Sequence, residues 1–364
     1  TCFMESKSMA ETLGSSLPVP CVQEVMAREP LTAVPPRYSR SDIEPPAAAH
    51  LLPGIPVIDM QKLQSQESMD SEVAKLHTAC KDWGFFQLVN HGVSFSLVDK
   101  MKMEVQGFFN LPMEQKKKYW QFPGEIEGFG QVFVQSEEQK LDWADMFYMV
   151  TLPVHMRKPH LSELPLALRE TLDLYSVEMK NLALFVLLKM GAALKVDGKE
   201  MKELFDVGLQ SMRMNYYPPC PQPEKVTGLT PHSDASAITI LLQVNEVEGL
   251  QIRKDGAWLP VTPLPGAFIV NVGDVFEIVS NGTYRSIEHR AMVSSVKERV
   301  SIATFFNPKL DAEIRPASGL VSAENPALFK GVESLEYLKA FFSRKLVGKS
   351  HVDAYRISGY ENKS

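Results

Sequence analysis

The sequence is short of cysteine, has no excess of basic charge and contains no long apolar run, and each shortage closes off a class of protein. Its four cysteines, Cys2, Cys21, Cys80 and Cys220, are scattered and form no CxxC pair. That argues against a disulfide framework or a zinc knuckle and suits free thiols in a reducing compartment, so a cytoplasmic location is expected. Lys and Arg total 38 against 44 Asp and Glu, a net charge of -6. General binding to nucleic acid or anionic membrane needs clustered Lys and Arg, so neither partner is expected. The longest apolar stretch, Leu182 to Leu188, is far too short to span a bilayer. The first residues lack the basic start and apolar core of a secretory signal, and whether Thr1 to Phe3, ahead of Met4, are native is left open by the sequence.

What remains is an ordinary soluble composition, 45% apolar and 23% charged over 364 residues, enough for one large core or two modest ones. Residues 1–53 are rich in Pro, Ala and Ser and read as a lead-in with one short helix at most. Residues 54–205 alternate strand and helix patterns. "GIPVIDM" starts a strand, residues 70–82 carry Val73, Leu76, His77 and Cys80 on one helical face, and "WGFFQLVNHGV" gives a strand closed by a turn. Leu168, Leu172, Tyr175, Met179, Leu182, Val186 and Met190 recur every three or four residues, so a long helix over about 166–194 should lie against a core. Residues 206–310 are β-rich. "GLQIRK" and "AWLPV" flank Asp255-Gly256, a two-residue hairpin signal, and "GAFIVNVGD", "VFEIVSNG", "HRAMV" and "RVSIATFF" read as further strands. Residues 311–364 end in a helix, "SLEYLKAFFSRKL", with Ser334 as N-cap and Gly348 after its end.

Two pairs of polar residues interrupt the β-rich segment. In "LTPHSDASAITILLQ", His232 and Asp234 stand at i and i+2, on one face if both lie on a strand. An isolated HxD is usually a satisfied His and a turn Asp. Here His289, 55 residues beyond Asp234 and also in strand context, supplies a third ligand type. Two imidazoles and a carboxylate make the facial set that holds non-haem Fe(II) with open positions, although zinc also accepts these ligands. Arg299 and Ser301 repeat the i, i+2 spacing ten residues after His289. An inward Arg needs either an internal acid or an acidic ligand, because a buried unpaired charge is very costly. Beside the triad, the second option makes a pocket for an acidic co-substrate.

With these residues in place, the chain resembles the plant Fe(II)/2-oxoglutarate-dependent dioxygenases over nearly its whole length. The resemblance is carried by "IPVIDM", "WGFFQLVNHGV", "FFNLPMEQK", "DWADMF", "MNYYPPCPQP", "GLTPHSDASAITILLQ", "VNVGD", "SNGTYRSIEHRA" and "ERVSIATFFNP". It implies an α+β protein with a double-stranded β-helix (jelly-roll) core flanked by helices. It implies that His232, Asp234 and His289 bind iron, that Arg299 and Ser301, helped by Tyr217, hold the distal carboxylate of 2-oxoglutarate, and that Asn215 lies beside the keto-acid end. O2 is the further co-substrate and ascorbate a supporting reductant. The reaction implied consumes 2-oxoglutarate, releases succinate and CO2, and hydroxylates a substrate C–H. On an O-methyl group the hydroxylated product collapses to an alcohol and formaldehyde.

The same resemblance puts Met146, Tyr148, Arg213 and Phe305 on the substrate wall, although Met146 and Phe305 also suit plain core and Arg213 a surface charge. Such a wall favours a flat, multi-ring natural product. "SEEQKLDWADMF" and "LPVHMRKPHL" resemble the senescence-related and alkaloid O-demethylase branch, and Asn307 stands where some flavonoid-modifying relatives carry an acid. An alkaloid-like or related phenolic ring system is therefore expected, as is a monomer. Two other readings stay open from sequence: a non-oxidative condensing or cyclising enzyme on this scaffold, and a jelly roll that binds a small ligand without chemistry.

Overall fold

The computed structural model describes residues 13–28, 31–47, 54–122 and 124–357. Twelve strands build its two main sheets: β1 (Val57–Asp59), β2 (Phe85–Val89), β3 (Gly128–Gly130), β4 (Asp145–Leu152), β5 (Gln210–Tyr217), β6 (Leu229–His232), β7 (Ile238–Gln243), β8 (Leu250–Lys254), β9 (Ala257–Pro260), β10 (Phe268–Val272), β11 (His289–Ala291) and β12 (Arg299–Phe306). The larger sheet has the order β1-β2-β10-β7-β12-β5-β4-β3 and the smaller one β6-β11-β8-β9. All pairs are antiparallel except β1 with β2. The α+β jelly roll expected from the sequence is the fold found.

Side-chain alternation explains how one sheet serves two purposes. Successive residues of a strand point to opposite faces. In β4, Phe147 and Met149 join the main core, whereas Met146, Tyr148 and Val150 join a separate apolar cluster. In β12, Val300, Ile302 and Phe306 go to the main core, while Arg299, Ser301, Ala303 and Phe305 face an interior cavity. In β5, Met212, Met214 and Tyr216 face the core, and Arg213, Asn215 and Tyr217 face the cavity. The core face is covered by the helix Leu166–Ala193, whose seven periodic residues are all buried. Each such side chain contributes roughly 1.5–3 kcal/mol on leaving water.

The Asp255-Gly256 hairpin forms as expected, with φ of 49° and 81° at the two turn residues. Cys21, Cys80 and Cys220 are buried free thiols, and Cys2 lies outside the described residues. Among its described residues the lead-in holds one short helix, Val22–Arg28, which is tied to the rest of the protein. The buried carboxylate of Asp145 accepts from the backbone N–H of Val22 at 2.6 Å and of Gln23 at 3.0 Å, at the start of that helix. Tyr38 packs edge-on against Trp143, with ring centroids 5.2 Å apart.

Two local expectations fail. "VFEIVSNG" is not a strand: Asp274–Val279 is a helix whose six residues are all buried. A short element buried on every side has no polar face to reveal its period, so helix and strand look alike in sequence. At the C-terminal end the helix is Ser334–Phe342, with Glu333 rather than Ser334 as N-cap and no side-chain cap bond. It stops well short of Gly348, which makes backbone contacts elsewhere.

Glu127 is 3% exposed and accepts from the Val150 N–H at 2.8 Å, bracing β4. Burial pushes its carboxyl up from 4.5 to about 7, partly offset by that N–H and by Lys158. The folded state therefore holds a proton that the unfolded chain releases near the ordinary carboxylate value. The stability from this group is whole below about 4.5 and is lost as pH rises through about 7. Glu127→Gln, neutral throughout, should gain on the parent by up to about 3 kcal/mol between pH 5 and pH 8. Urea unfolding at both pH values checks this, and a constant difference would remove Glu127 as the cause.

Candidate active site

β6 and β11 pair so that His289 and His232 are direct cross-strand partners. Their rings lie 4.3 Å apart by centroid, and Phe85 packs edge-on against His289 at 5.3 Å. Each imidazole uses Nδ1 on the backbone carbonyl two residues earlier: His232 on Thr230 at 2.8 Å and His289 on Ile287 at 3.1 Å. A carbonyl only accepts, so both Nδ1 atoms carry the proton and both Nε2 lone pairs stay free.

Asp234 is not on the same strand. β6 ends at His232, and Asp234 sits in the turn beyond it, where its own carbonyl accepts from the Asp274 N–H at 2.7 Å. The close approach of Gly273 helps set this turn, since a Cβ there would meet the Ser236 carbonyl oxygen at 2.0 Å. One carboxylate oxygen, Oδ2, accepts from the Thr239 hydroxyl at 2.6 Å and from Asn271 Nδ2 at 2.8 Å. The other, Oδ1, lies 3.4 Å from His232 Nε2 and 3.6 Å from His289 Nε2.

Three donors thus converge, with all ligand atoms within 4.8 Å of one another. Neighbouring ligands of a metal with ~2.1 Å bonds sit ~3 Å apart, so this set fits one face of an iron coordination sphere. The electrostatics agree. Burial would raise the Asp234 carboxyl, but His289, then His232 and Thr239, outweigh it and hold the group well below the usual carboxylate range. Burial, then the neighbouring His232, lowers His289 to about 4 against the pull of Asp234. An ionised Asp234 and a neutral His289 suit metal binding, which needs deprotonated ligand atoms.

Beside the triad lies Arg299, 2% exposed. The internal acid that would make it a structural ion pair is absent among the described residues. Its neighbours are Gln243 Oε1 at 2.8 Å, Ser301 Oγ at 3.4 Å and the Tyr217 ring, with the guanidinium 5.2 Å from the ring centre. Its Nε has no partner, nor has the buried Oδ1 of Asn215, whose Nδ2 reaches Ser301 at 3.4 Å. Arg299, Ser301, Tyr217, Asn215 and the triad line one cavity.

A second open cavity of about 600 Å³ adjoins it, sharing Arg213, His232, Asp234 and Phe305. Tyr148 lines it, together with Phe133, Phe341 and Phe342. Met146 shares the Tyr148 face but packs in the cluster behind and does not line the cavity. Thr239, Asn271, Gln243 and the C-terminal phenylalanines were not singled out from sequence. Asn271 had a signal, as the one polar residue inside the apolar run Phe268–Val272. The phenylalanines had none, since they look like any buried helix face.

A jelly roll whose mouth holds this facial donor set beside an acid-free buried arginine defines a non-haem iron oxygenase. The chain belongs to the 2OG-Fe(II) oxygenase superfamily, whose family model matches residues 208–308, and residues 55–165 match the model of the non-haem dioxygenase in morphine synthesis N-terminal region. It is 57% identical over 360 residues to Protein SRG1 of Arabidopsis thaliana, covering 97% of this chain and 100% of that one. Oxoglutarate-dependent flavonoid 7-O-demethylase 1 of Ocimum basilicum is 53% identical over 97% of this chain and 95% of its own length. Codeine O-demethylase of Papaver somniferum is 54% identical over 95% and 98%. The crystal structure of JOX2 in complex with 2OG, Fe and JA aligns with a TM-score of 0.86 at 37% identity, covering 94% of this chain and 99% of that one. The protein is an iron- and 2-oxoglutarate-dependent oxidoreductase that acts on a small molecule.

Asn271, with Thr239, occupies Asp234 Oδ2 and leaves Oδ1 spare. Asn271→Leu should therefore weaken Fe(II) binding by about 10-fold or more, the usual scale for losing a partner of a metal ligand. Anaerobic calorimetric titration reads it, and unchanged affinity would show that Thr239 alone orients the carboxylate.

Proposed function

We propose that His232 Nε2, Asp234 Oδ1 and His289 Nε2 hold Fe(II), and that Arg299, with Ser301 and Tyr217, binds the distal carboxylate of 2-oxoglutarate. Asn215 lies beside its keto-acid end. The observation that carries this reading is Arg299: a fully buried guanidinium with a free Nε, no acidic partner among the described residues, and a cavity in front of it. Leaving such a charge unmatched costs several kcal/mol, and a dicarboxylate ligand supplies the missing anion through a bidentate fork.

When bound, iron supplies oxygen activation coupled to decarboxylation of the keto acid. The chain's own residues bind, orient and exclude water. Tyr148, Phe133, Phe305 and Phe342 form an apolar wall that suits a flat multi-ring substrate, and Arg213, whose Nε also lacks a partner, meets an oxygen substituent on it. We take the reaction to be hydroxylation of a plant specialised metabolite, and oxidative O-demethylation where the target carbon is a methoxy group. Identity does not separate alkaloid from phenolic substrates, because demethylases of both kinds are about equally similar. The buried free thiols of Cys21, Cys80 and Cys220 support a cytoplasmic setting, and no described helix is long and apolar enough to cross a membrane. A panel of O-methylated alkaloids and flavonoids tests the reading: succinate and formaldehyde should form together with a few members, and succinate release that no member stimulates would contradict it.

Arg299→Lys keeps the charge but loses the fork. Its apparent KM for 2-oxoglutarate should rise by about 10-fold or more, the scale of one lost charge-assisted hydrogen bond, with substrate KM little changed. Equal effects on both constants would take Arg299 out of the co-substrate pocket. Phe305→Ala should weaken substrate binding by about 1–3 kcal/mol and raise succinate released without product, since a poorly held carbon is out of reach. Product-to-succinate ratios check this, and a parent-like ratio would make Phe305 ordinary core.

A further inference from the structure

Beyond the last long helix, the chain returns to the metal site. Gly348 forms a bridge with His232: its N–H donates to the Pro231 carbonyl at 3.1 Å, and its own carbonyl accepts from the Ser233 N–H at 3.2 Å. It adopts φ of 45°, and a Cβ there would lie 3.1 Å from Glu288 Oε1. The next residue, Lys349, extends Nζ to three oxygens, the Glu277 carboxylate, the Ser286 carbonyl and the Ser286 hydroxyl, each at 2.6 Å. Glu277 is fully buried on the helix that begins at Asp274, and that residue's N–H holds the Asp234 carbonyl at 2.7 Å. Ser286 stands three residues before His289. Two adjacent residues of the tail therefore touch the backbone segments that carry all three donors.

We propose that Gly348 and Lys349 are positioning residues for the metal site, holding the His232–Asp234 turn and the Ser286–His289 segment at the separation that iron requires. The inference rests on the assignment of His232, Asp234 and His289 as ligands. Lys349 suits the role because an ammonium offers three donors from a single point, which matches three oxygens converging from two chain segments. A neutral side chain there leaves Glu277 with Arg356 but removes both bonds from Lys349 to Ser286. Arg356 is the built-in control: it also pairs with Glu277 but makes no bond to Ser286.

The test is anaerobic Fe(II) titration of the full chain by calorimetry, with thermal unfolding of the metal-free protein alongside. Lys349→Met should bind Fe(II) about 10–100-fold more weakly, as for other losses behind a ligand. Arg356→Met should lower the unfolding temperature to a similar extent yet bind iron like the parent, and Lys349→Arg should fall between parent and Lys349→Met. Gly348→Ala, which changes no charge, should also weaken iron binding and serves if Lys349→Met does not fold. Parent-like affinity in Lys349→Met, or in Gly348→Ala if that variant alone folds, overturns the proposal, as does an equal loss in Arg356→Met. Asp234→Ala separates the two claims: its loss of iron binding upholds the ligand assignment whatever Lys349 does, and its retention overturns that assignment and the proposal together.

Discussion

The cross-strand pairing of His232 with His289 is the constraint on which the site depends. It places two imidazoles in contact at the mouth of a barrel, with both Nδ1 protons committed to backbone carbonyls. Two free Nε2 lone pairs in a buried place then repel each other unless something positive lies between them. Asp234 supplies the third lone pair and the negative charge, and its other oxygen is already occupied by Thr239 and Asn271. Every remaining valence points to one position, so a divalent cation resolves the frustration that the protein alone leaves.

The same logic extends outward. Arg299 is a cation with no anionic partner among the described residues, placed on β12 one strand pairing from Tyr217 and Asn215. The triad and the arginine line the same cavity, and a second cavity with phenylalanine and tyrosine walls adjoins it. The larger sheet can carry this polar inner face because its outer face is buried against the helix Leu166–Ala193, which supplies the core stability that the cavity side forgoes.

How much of this was legible in sequence depended on whether a residue's role showed in its local pattern. The long helix, the Asp255-Gly256 hairpin and the polar positions of β12 did show, since period 3.6, φ > 0 chemistry and an Arg in an apolar run are local signals. The HxD spacing pointed to residues that do converge, but not by the expected route: they meet because a turn brings Asp234 back, not because both sit on one strand. The buried helix at Asp274 was hidden because it has no solvent-facing side. Met146 was placed on the right face but one layer too far forward. Phe341, Phe342, Gly348 and Lys349 join the site only through the path of the tail, which no local pattern encodes.

The central claim is that one metal ion and one keto acid complete two matched deficits. The most direct measurement is a crystal structure grown anaerobically with Fe(II) and 2-oxoglutarate, using anomalous scattering at the iron edge. The account predicts a single strong iron peak bonded to His232 Nε2, Asp234 Oδ1 and His289 Nε2, with the distal carboxylate of 2-oxoglutarate seated on Arg299. An iron peak on other ligands, or a keto acid bound away from Arg299, would contradict it.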